Sequence, residues 1–362
     1  MKKENKKPKN KKRRSIVAGC LAGVLLITGV AAAVFLHRDP DYYLSVQKAA
    51  PASTPAATGS FIQPWYCAEW SEAEFAAHFE QLQSIGADTL ILQWTADTPE
   101  GKIGSIYYDT ALPKEYFAEN AAVYPDMLEN CLAAAEKAGI KVFVGLNLAD
   151  EWWDFKVRDA DWRDSQNTAS AAIAGEIYTL YKEKYPTAFH GWYWAWELTN
   201  GFFGAGSAAE LLNRDIGALN ALNPEMPLLL SPFNSKNSTY KIAEWEWKSF
   251  FKKVHFRKGD IFCLQDAIGA GWIELEDLDY YYAAVKRAVE TKPELTFWAN
   301  CENFTSDYCP ADIDRFKTQL DTAALYTDGI VSFSLSHYYL NPSFGTEAFE
   351  GYKEMLAGKS GL

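Results

Sequence analysis

Histidine is scarce in this 362-residue chain: five residues, with no His-x-His pair. That argues against a metal-dependent hydrolase, whose centre needs several imidazoles clustered on neighbouring strands. His37, His78, His190 and His255 fall in a linker, in helices or before strands, and only His337 sits at the end of a candidate strand. Of six cysteines, Cys20 lies in an apolar run. The other five (Cys67, Cys131, Cys263, Cys301 and Cys309) show no CxxC spacing, so neither a zinc nor a dithiol redox motif is present. Cys301 and Cys309 can pair only if the loop between them folds back, and free, mostly buried thiols are the simpler expectation. A Gly-x-Ser-x-Gly elbow is absent, which removes the usual serine-hydrolase nucleophile. Glycine-rich phosphate turns are missing too. Gly269-Ala270-Gly271 stands alone and is a weak signal.

Basic residues are short everywhere except at the start. MKKENKKPKNKKRR (1–14) holds nine Lys/Arg and one Glu; the remainder has 26 basic against 46 acidic residues, a net of -20. A nucleic-acid partner needs a basic face, so none is expected. Residues 15–36, SIVAGCLAGVLLITGVAAAVFL, form 22 positions without a charge. As a helix rising 1.5 Å per residue this run spans about 33 Å, enough to cross a bilayer. The basic arm before it is expected to stay cytoplasmic, which puts the rest of the chain outside. Ala31-Ala32-Ala33 is a candidate cleavage site, but an uncleaved signal anchor is the favoured reading. Residues 37–58, rich in Ala, Pro, Ser and Thr, read as a linker or stalk. Residues 59–362 are about 300 positions, within reach of one large domain.

Through those positions, short apolar runs alternate with helix-like stretches. Candidate strands are SFIQPWY (60–66), DTLILQWT (88–95), KVFVGLNL (141–148), GWYWAWEL (191–198), MPLLLSPFN (226–234), DIFCLQDA (260–267), ELTFWANCE (294–302) and GIVSFSLSHYY (329–339). Between them lie segments such as SEAEFAAHFEQLQSIG and ADIDRFKTQLDTAALY, with Ser or Asp at the start and often Gly at the end, the usual cap signals. An open doubly wound sheet shows the same alternation but commonly has fewer units and a glycine-rich first turn. Eight strand–helix units predict an α/β fold, a (β/α)8 barrel. Two connections are long, 95–125 and 149–164, and both leave the carboxyl end of a strand.

Barrel sites form at those carboxyl ends. The residues expected there are Gln63 and Trp65; Gln93 and Trp94; Asn147 and Asp150; Glu197; Asn234; Gln265 and Asp266; Asn300 and Glu302; His337 and Tyr338. Amides and carboxylates suit sugar hydroxyls, and aromatic faces suit the apolar side of a pyranose ring. With 13 Trp, 20 Tyr and 21 Phe, the chain has aromatic surface to spare, so a carbohydrate partner is expected. Trp152, Trp153 and Trp272, in loops, join Trp65 and Trp94 as stacking candidates, and Trp298 shares the phase of Asn300 and Glu302. In GWYWAWEL the two-residue period puts Trp192, Trp194 and Trp196 on the face opposite Glu197, beneath the helices. Trp245 and Trp247 are expected to pack a helix.

Glu197 and Glu302 end the fourth and seventh strands, across a barrel mouth from each other, and a glycosidic bond is cleaved between two carboxyl groups. Asp266 is a reserve carboxylate. No metal or cofactor is called for. This arrangement resembles the clan A glycoside hydrolases. More closely, GSFIQPW (59–65), GWYWAWEL, LQDAIGAGW (264–272) and FWANCENF (297–304) are similar to bacterial domain-of-unknown-function family 4434, classed with the glycosidase barrels. The resemblance implies a Glu/Glu glycoside hydrolase, retaining, with Glu197 as acid/base and Glu302 as nucleophile. It departs at Trp196, where a clan A enzyme carries the Asn that holds the sugar 2-hydroxyl. Asn147 or Asn300 is then expected to supply that amide. The competing reading is a non-catalytic carbohydrate-binding surface protein on the same barrel.

Overall fold

The computed structural model describes residues 40–201 and 204–358. The chain divides into two compact units, Met1–Ser45 and Val46–Leu362. Of the first, only residues 40–45 are described, a short helix Pro40–Leu44 and its end. The basic arm and the expected membrane span lie outside the described residues. Among those described, no helix is long and apolar enough to cross a membrane.

The second unit is an eight-stranded closed parallel barrel. Its strands are β1 (Gly59–Ile62), β2 (Thr89–Leu92), β3 (Lys141–Gly145), β4 (Phe189–Trp194), β5 (Leu228–Leu230), β6 (Ile261–Gln265), β7 (Thr296–Glu302) and β8 (Gly329–Phe333). Each pairs with the next, and β8 returns to β1 with Gly59 opposite Val331. The following helices are α1 (Glu72–Ser84), α2 (Met127–Ala138), α3 (Ala160–Tyr181), α4 (Ala205–Leu222), α5 (Tyr240–Phe251), α6 (Leu278–Val289), α7 (Ile313–Ala324) and α8 (Glu347–Leu356). Ser71 and Glu74 close a capping box on α1, while Asp159, Thr239 and Asp312 cap α3, α5 and α7. Gly139, at φ 72°, ends α2 in the left-handed region.

Strand alternation fills the barrel. Phe61, Ile91, Phe143, Tyr193, Leu229, Cys263 and Val331 form one buried cluster, with Trp298 of β7 packed against it. Bulk is balanced by glycine: a Cβ at Gly191 would lie 2.6 Å from the Phe143 ring, and one at Gly329 would lie 2.8 Å from Trp298. The opposite face of β4 and its continuation carries Trp192, Trp194 and Trp196, all buried. The Trp194 indole donates to Asp215 of α4 at 2.9 Å, and Trp196 packs on Trp152 and Trp162. The tryptophans of GWYWAWEL are thus the outer, helix-facing side.

Several boundaries differ from expectation. The strands are shorter than the apolar runs containing them, and β4 stops at Trp194, three residues before Glu197. After β1 the ladder ends at once, because Pro64 opens a helical turn, Pro64–Cys67. After β8 the chain turns through a helical segment, Leu335–Tyr339, rather than continuing as strand to Tyr339. The connection 95–125 is not an irregular loop. Its segments Ala96–Asp97, Ile103–Ile106 and Phe117–Val123 form a small sheet with Asn147–Leu148. On α5, Trp247 is buried but Trp245 is 61 % exposed, since positions two apart cannot share one helix face. Residues 46–58 are tied down rather than free: the Thr58 N–H donates to the Ile330 carbonyl at 2.7 Å and the Ala57 N–H to the Tyr352 hydroxyl at 2.9 Å. The compact unit therefore begins at Val46 rather than Gly59.

Asp215 is buried and also accepts from the Asn167 amide at 2.8 Å. Trp194→Phe removes one of its donors and keeps most of the ring. We expect a loss of about 1–3 kcal/mol, the cost of a stranded buried acceptor, read as a lower denaturant midpoint with unchanged slope.

Candidate active site

The Glu197 segment runs past the last ladder bond of β4 but is fixed at its backbone. The Trp152 indole N–H donates to the Glu197 carbonyl at 2.7 Å, and the Phe233 N–H donates to the Leu198 carbonyl at 2.9 Å. Trp152 is buried, so it acts as a clamp behind Glu197 rather than as a surface for ligands. The Gln265 amide, from the end of β6, donates to Glu197 Oε1 at 3.2 Å and to the Ser231 carbonyl at 2.6 Å. Burial raises the Glu197 carboxyl above its ordinary range, and the Gln265 N–H opposes that rise.

Glu302, the last residue of β7, is held at several atoms. Its N–H donates to Asp266 Oδ1 at 3.2 Å. Its carbonyl accepts from Arg315 at 2.9 Å and from Gln319 at 3.0 Å, both on α7. Its carboxylate Oε2 accepts the Ala270 N–H at 2.8 Å. This last bond depends on the turn after β6. A Cβ at Gly269 would lie 2.6 Å from the Phe304 carbonyl and 2.9 Å from Glu302 Cβ, so no side chain fits there. Two residues earlier, Ala267 takes a left-handed conformation, φ 57°, a cost of order 1–3 kcal/mol that the surrounding structure must hold. The Gly-Ala-Gly run, a weak phosphate signal in the sequence, is here a cradle for a carboxylate.

Asp266 lies behind this cradle and does not line the cavity. It is buried, accepting from the Ile268 N–H at 3.2 Å and, through Oδ2, from Gln319 at 2.6 Å. Burial raises the Asp266 carboxyl, opposed by its donors and by the Arg315 charge. Glu302 is pushed up to about 8 by burial and then by the negative charge of Asp266, partly offset by the Ala270 and Gly269 amides. Burial raises both carboxyls, and at Glu302 the charge of Asp266 adds to it, a neighbour behind the seventh strand that sequence spacing does not reveal.

Both glutamates line one cavity of about 540 Å³ at the carboxyl end of the barrel. Gln265 and Trp272 line it with them; the remaining walls include Trp153, Phe233, Phe304, Tyr308 and Phe333. Gln265 is the one amide side chain among these lining residues. The other expected residues sit elsewhere. Asn147 is buried in the small sheet, donating to Thr98 at 2.9 Å and Gln166 at 2.8 Å. Asn300 lies deeper in the barrel, donating to Ser231 at 3.1 Å. Asn234 accepts the Trp247 indole N–H at 2.9 Å. Gln93 is buried, and Trp94 and Trp298 pack against the barrel core. Asp150 is exposed on a 3-10 turn. Trp65, 59 % exposed, stacks on His337 at 5.5 Å, and His337 accepts the Gln63 N–H at 3.1 Å. Burial lowers His337 to about 4, so it is neutral. Tyr338 stacks on Phe304 at 5.2 Å, supporting the cavity wall from outside. Phe304 and Tyr308 were missed in the sequence, although both follow Glu302 directly in the loop after β7. All five cysteines of the barrel are free; Cys301 is buried and Cys309 exposed. Among the described residues no group of three or more His, Cys, Asp or Glu is placed to hold a metal ion.

Residues 57–345 match the family described as Domain of unknown function (DUF4434). The chain belongs to this family. It is the one its four strand-end motifs resemble. No curated protein matches. Among solved structures, the barrel is similar to that of a putative alpha-L-fucosidase from Bacteroides thetaiotaomicron VPI-5482. That match has 21 % identity and a TM-score of 0.69, covering 86 % of this chain and 96 % of that one. It is also similar to the endo-beta-1,4-mannanase of Thermotoga petrophila, at 14 % identity and a TM-score of 0.56, covering 86 % and 79 %. At these identities the likeness is one of fold.

Because burial and the Asp266 charge raise Glu302 above its ordinary 4.5, its ionisation costs native stability, which falls as pH rises from there through about 8. Glu302→Gln keeps an oxygen for the Ala270 N–H and removes that loss. We expect no gain at pH 4 and a clear gain at pH 8, read by thermal denaturation at both pH values.

Proposed function

We propose that this chain is a glycoside hydrolase that cleaves a cell-envelope or external polysaccharide, held at the membrane through residues 15–36. The observation that carries the reading is that Glu197 and Glu302, from β4 and β7, line the same aromatic-walled cavity. Glu302 is the general acid. Burial and the Asp266 charge keep its proton near neutral pH, and that proton goes to the leaving glycosidic oxygen as the C–O bond breaks. Glu197, which Gln265 favours as the anion, attacks the anomeric carbon. Glu302, now ionised, takes a proton from the water that hydrolyses the ester and is restored.

Trp196 bears on the missing Asn. Its side chain is buried against Trp152 and Trp162, so this position does not face the cavity. Gln265 supplies the amide instead, beside Glu197 and reachable from a sugar hydroxyl.

Digestion of a glycan library identifies the substrate, and aryl glycosides of the same sugar then separate the roles. Glu302→Ala is expected to lose about 10²–10⁴-fold on the natural glycan but far less on an aryl glycoside whose leaving group needs no proton. Glu197→Ala is expected to fail on both. The wild-type rate should rise with pH as Glu197 ionises and fall as Glu302 loses its proton toward 8. The opposite leaving-group pattern assigns the acid to Glu197. Unchanged release of reducing ends in both variants rejects this glutamate pair as the catalytic groups, whereas glycan binding without release, surviving both substitutions, leaves the carbohydrate-binding reading. Anchoring is checked by fractionation: the full chain is expected in the membrane pellet, and a chain starting at residue 37 in the supernatant.

A further inference from the structure

The catalytic cavity does not end at Glu197. A second cavity of about 280 Å³ adjoins it and shares three of its walls, Trp153, Phe233 and Trp272. Its remaining polar lining comes from the segments after β4 and β5, Thr199, Asn200, Ser235, Lys236 and Asn237. The two volumes form one groove, with the glutamate pair at one end and hydroxyl, amide and ammonium donors at the other.

The second cavity is built, not merely left open. The Asn200 amide donates to Glu246 at 2.6 Å, and its oxygen accepts the Ser235 N–H at 2.6 Å, which fixes the β4 and β5 loops to each other. Ser235 Oγ accepts the Asn237 N–H at 3.2 Å and still has its own hydrogen to donate. Trp272 packs edge-on against Phe233 at 5.0 Å and holds the Lys236 ammonium 5.4 Å from its ring centre. Among the described residues, Lys236 is the one cationic side chain lining either cavity. Trp153 is 53 % exposed beside them and offers an aromatic face that both cavities share.

We propose that the second cavity is a sugar subsite. The ligand is then an oligosaccharide of at least two pyranose units, one at the glutamate pair and the next stacked along Trp153 and Trp272. The neighbouring unit donates to and accepts from the β4 and β5 loops, and Lys236 receives either a ring hydroxyl or a uronate carboxylate. This rests on the glycosidase reading for its ligand class, but its geometry does not require turnover.

The test is length dependence, read in binding and in turnover. Defined oligosaccharides of one to six units, in neutral and uronate-bearing series, are titrated by calorimetry against the full chain and its Glu302→Gln variant. We expect affinity to rise at least about tenfold from one unit to two or three and then to level off. Lys236→Ala combined with Asn237→Ala should collapse the ratio between longer and single-unit ligands. A larger collapse in the uronate series identifies a carboxylate at Lys236, and an equal collapse identifies a hydroxyl. Length-independent affinity, an unchanged ratio in the double variant, or no binding at any length overturns the subsite. Length-dependent binding without turnover by the wild type rejects the catalytic reading and keeps the subsite.

Discussion

The mouth of the barrel depends on a buried carboxylate that no substrate touches. Asp266 receives the backbone N–H of Glu302 on one oxygen and the Gln319 amide on the other, and Gln319 in turn holds the Glu302 carbonyl. Strand β7, the turn after β6 and helix α7 are thereby fastened around a single charge. A buried carboxylate is costly unless its lone pairs are filled, and here backbone and amide donors fill them. The return on that cost is electrostatic. The same charge adds to burial in raising the proton affinity of its neighbour, so the group that positions Glu302 also bears on its protonation.

Much of this fold was legible in the sequence, because barrel patterning is local. Eight apolar runs separated by capped helical stretches give eight units, and the alternation in GWYWAWEL orients its tryptophans without any coordinates. Strand ends were less legible. An apolar residue beyond the last ladder bond looks the same in sequence as one within it, so Ala195 to Leu198 read as strand when they are an extended tail clamped by Trp152. Trp245 shows the converse error, since composition suggested packing where the helical phase points outward.

The site divides along the same line. Glu197, Glu302, Gln265 and Trp272 were legible because they end or follow strands in phase with the mouth. Asn147, Asn234 and Asn300 were equally good candidates by position, but their amides are engaged within the barrel and its small sheet. Only the fold reveals which amides face the cavity. The aromatic walls at Phe233, Phe304, Tyr308 and Phe333 come from the loop after β5, the loop after β7 and the end of β8, which converge in space. Nothing in the spacing of those residues signals that they meet.

The turn at Gly269 and the facing walls of the cavity differ in their freedom to change. At the turn the carboxyl is cradled by main-chain amides, and any side chain at 269 would strike Phe304 or Glu302. That turn tolerates almost no variation. The facing walls are side chains on loops, each replaceable by another aromatic residue without disturbing the turn. On the proposed reading, the choice of sugar lies in these walls rather than in the turn. Attempts to reshape this cavity should begin at Trp153, Phe233 and Tyr308, leaving the turn from Ala267 to Gly271 alone.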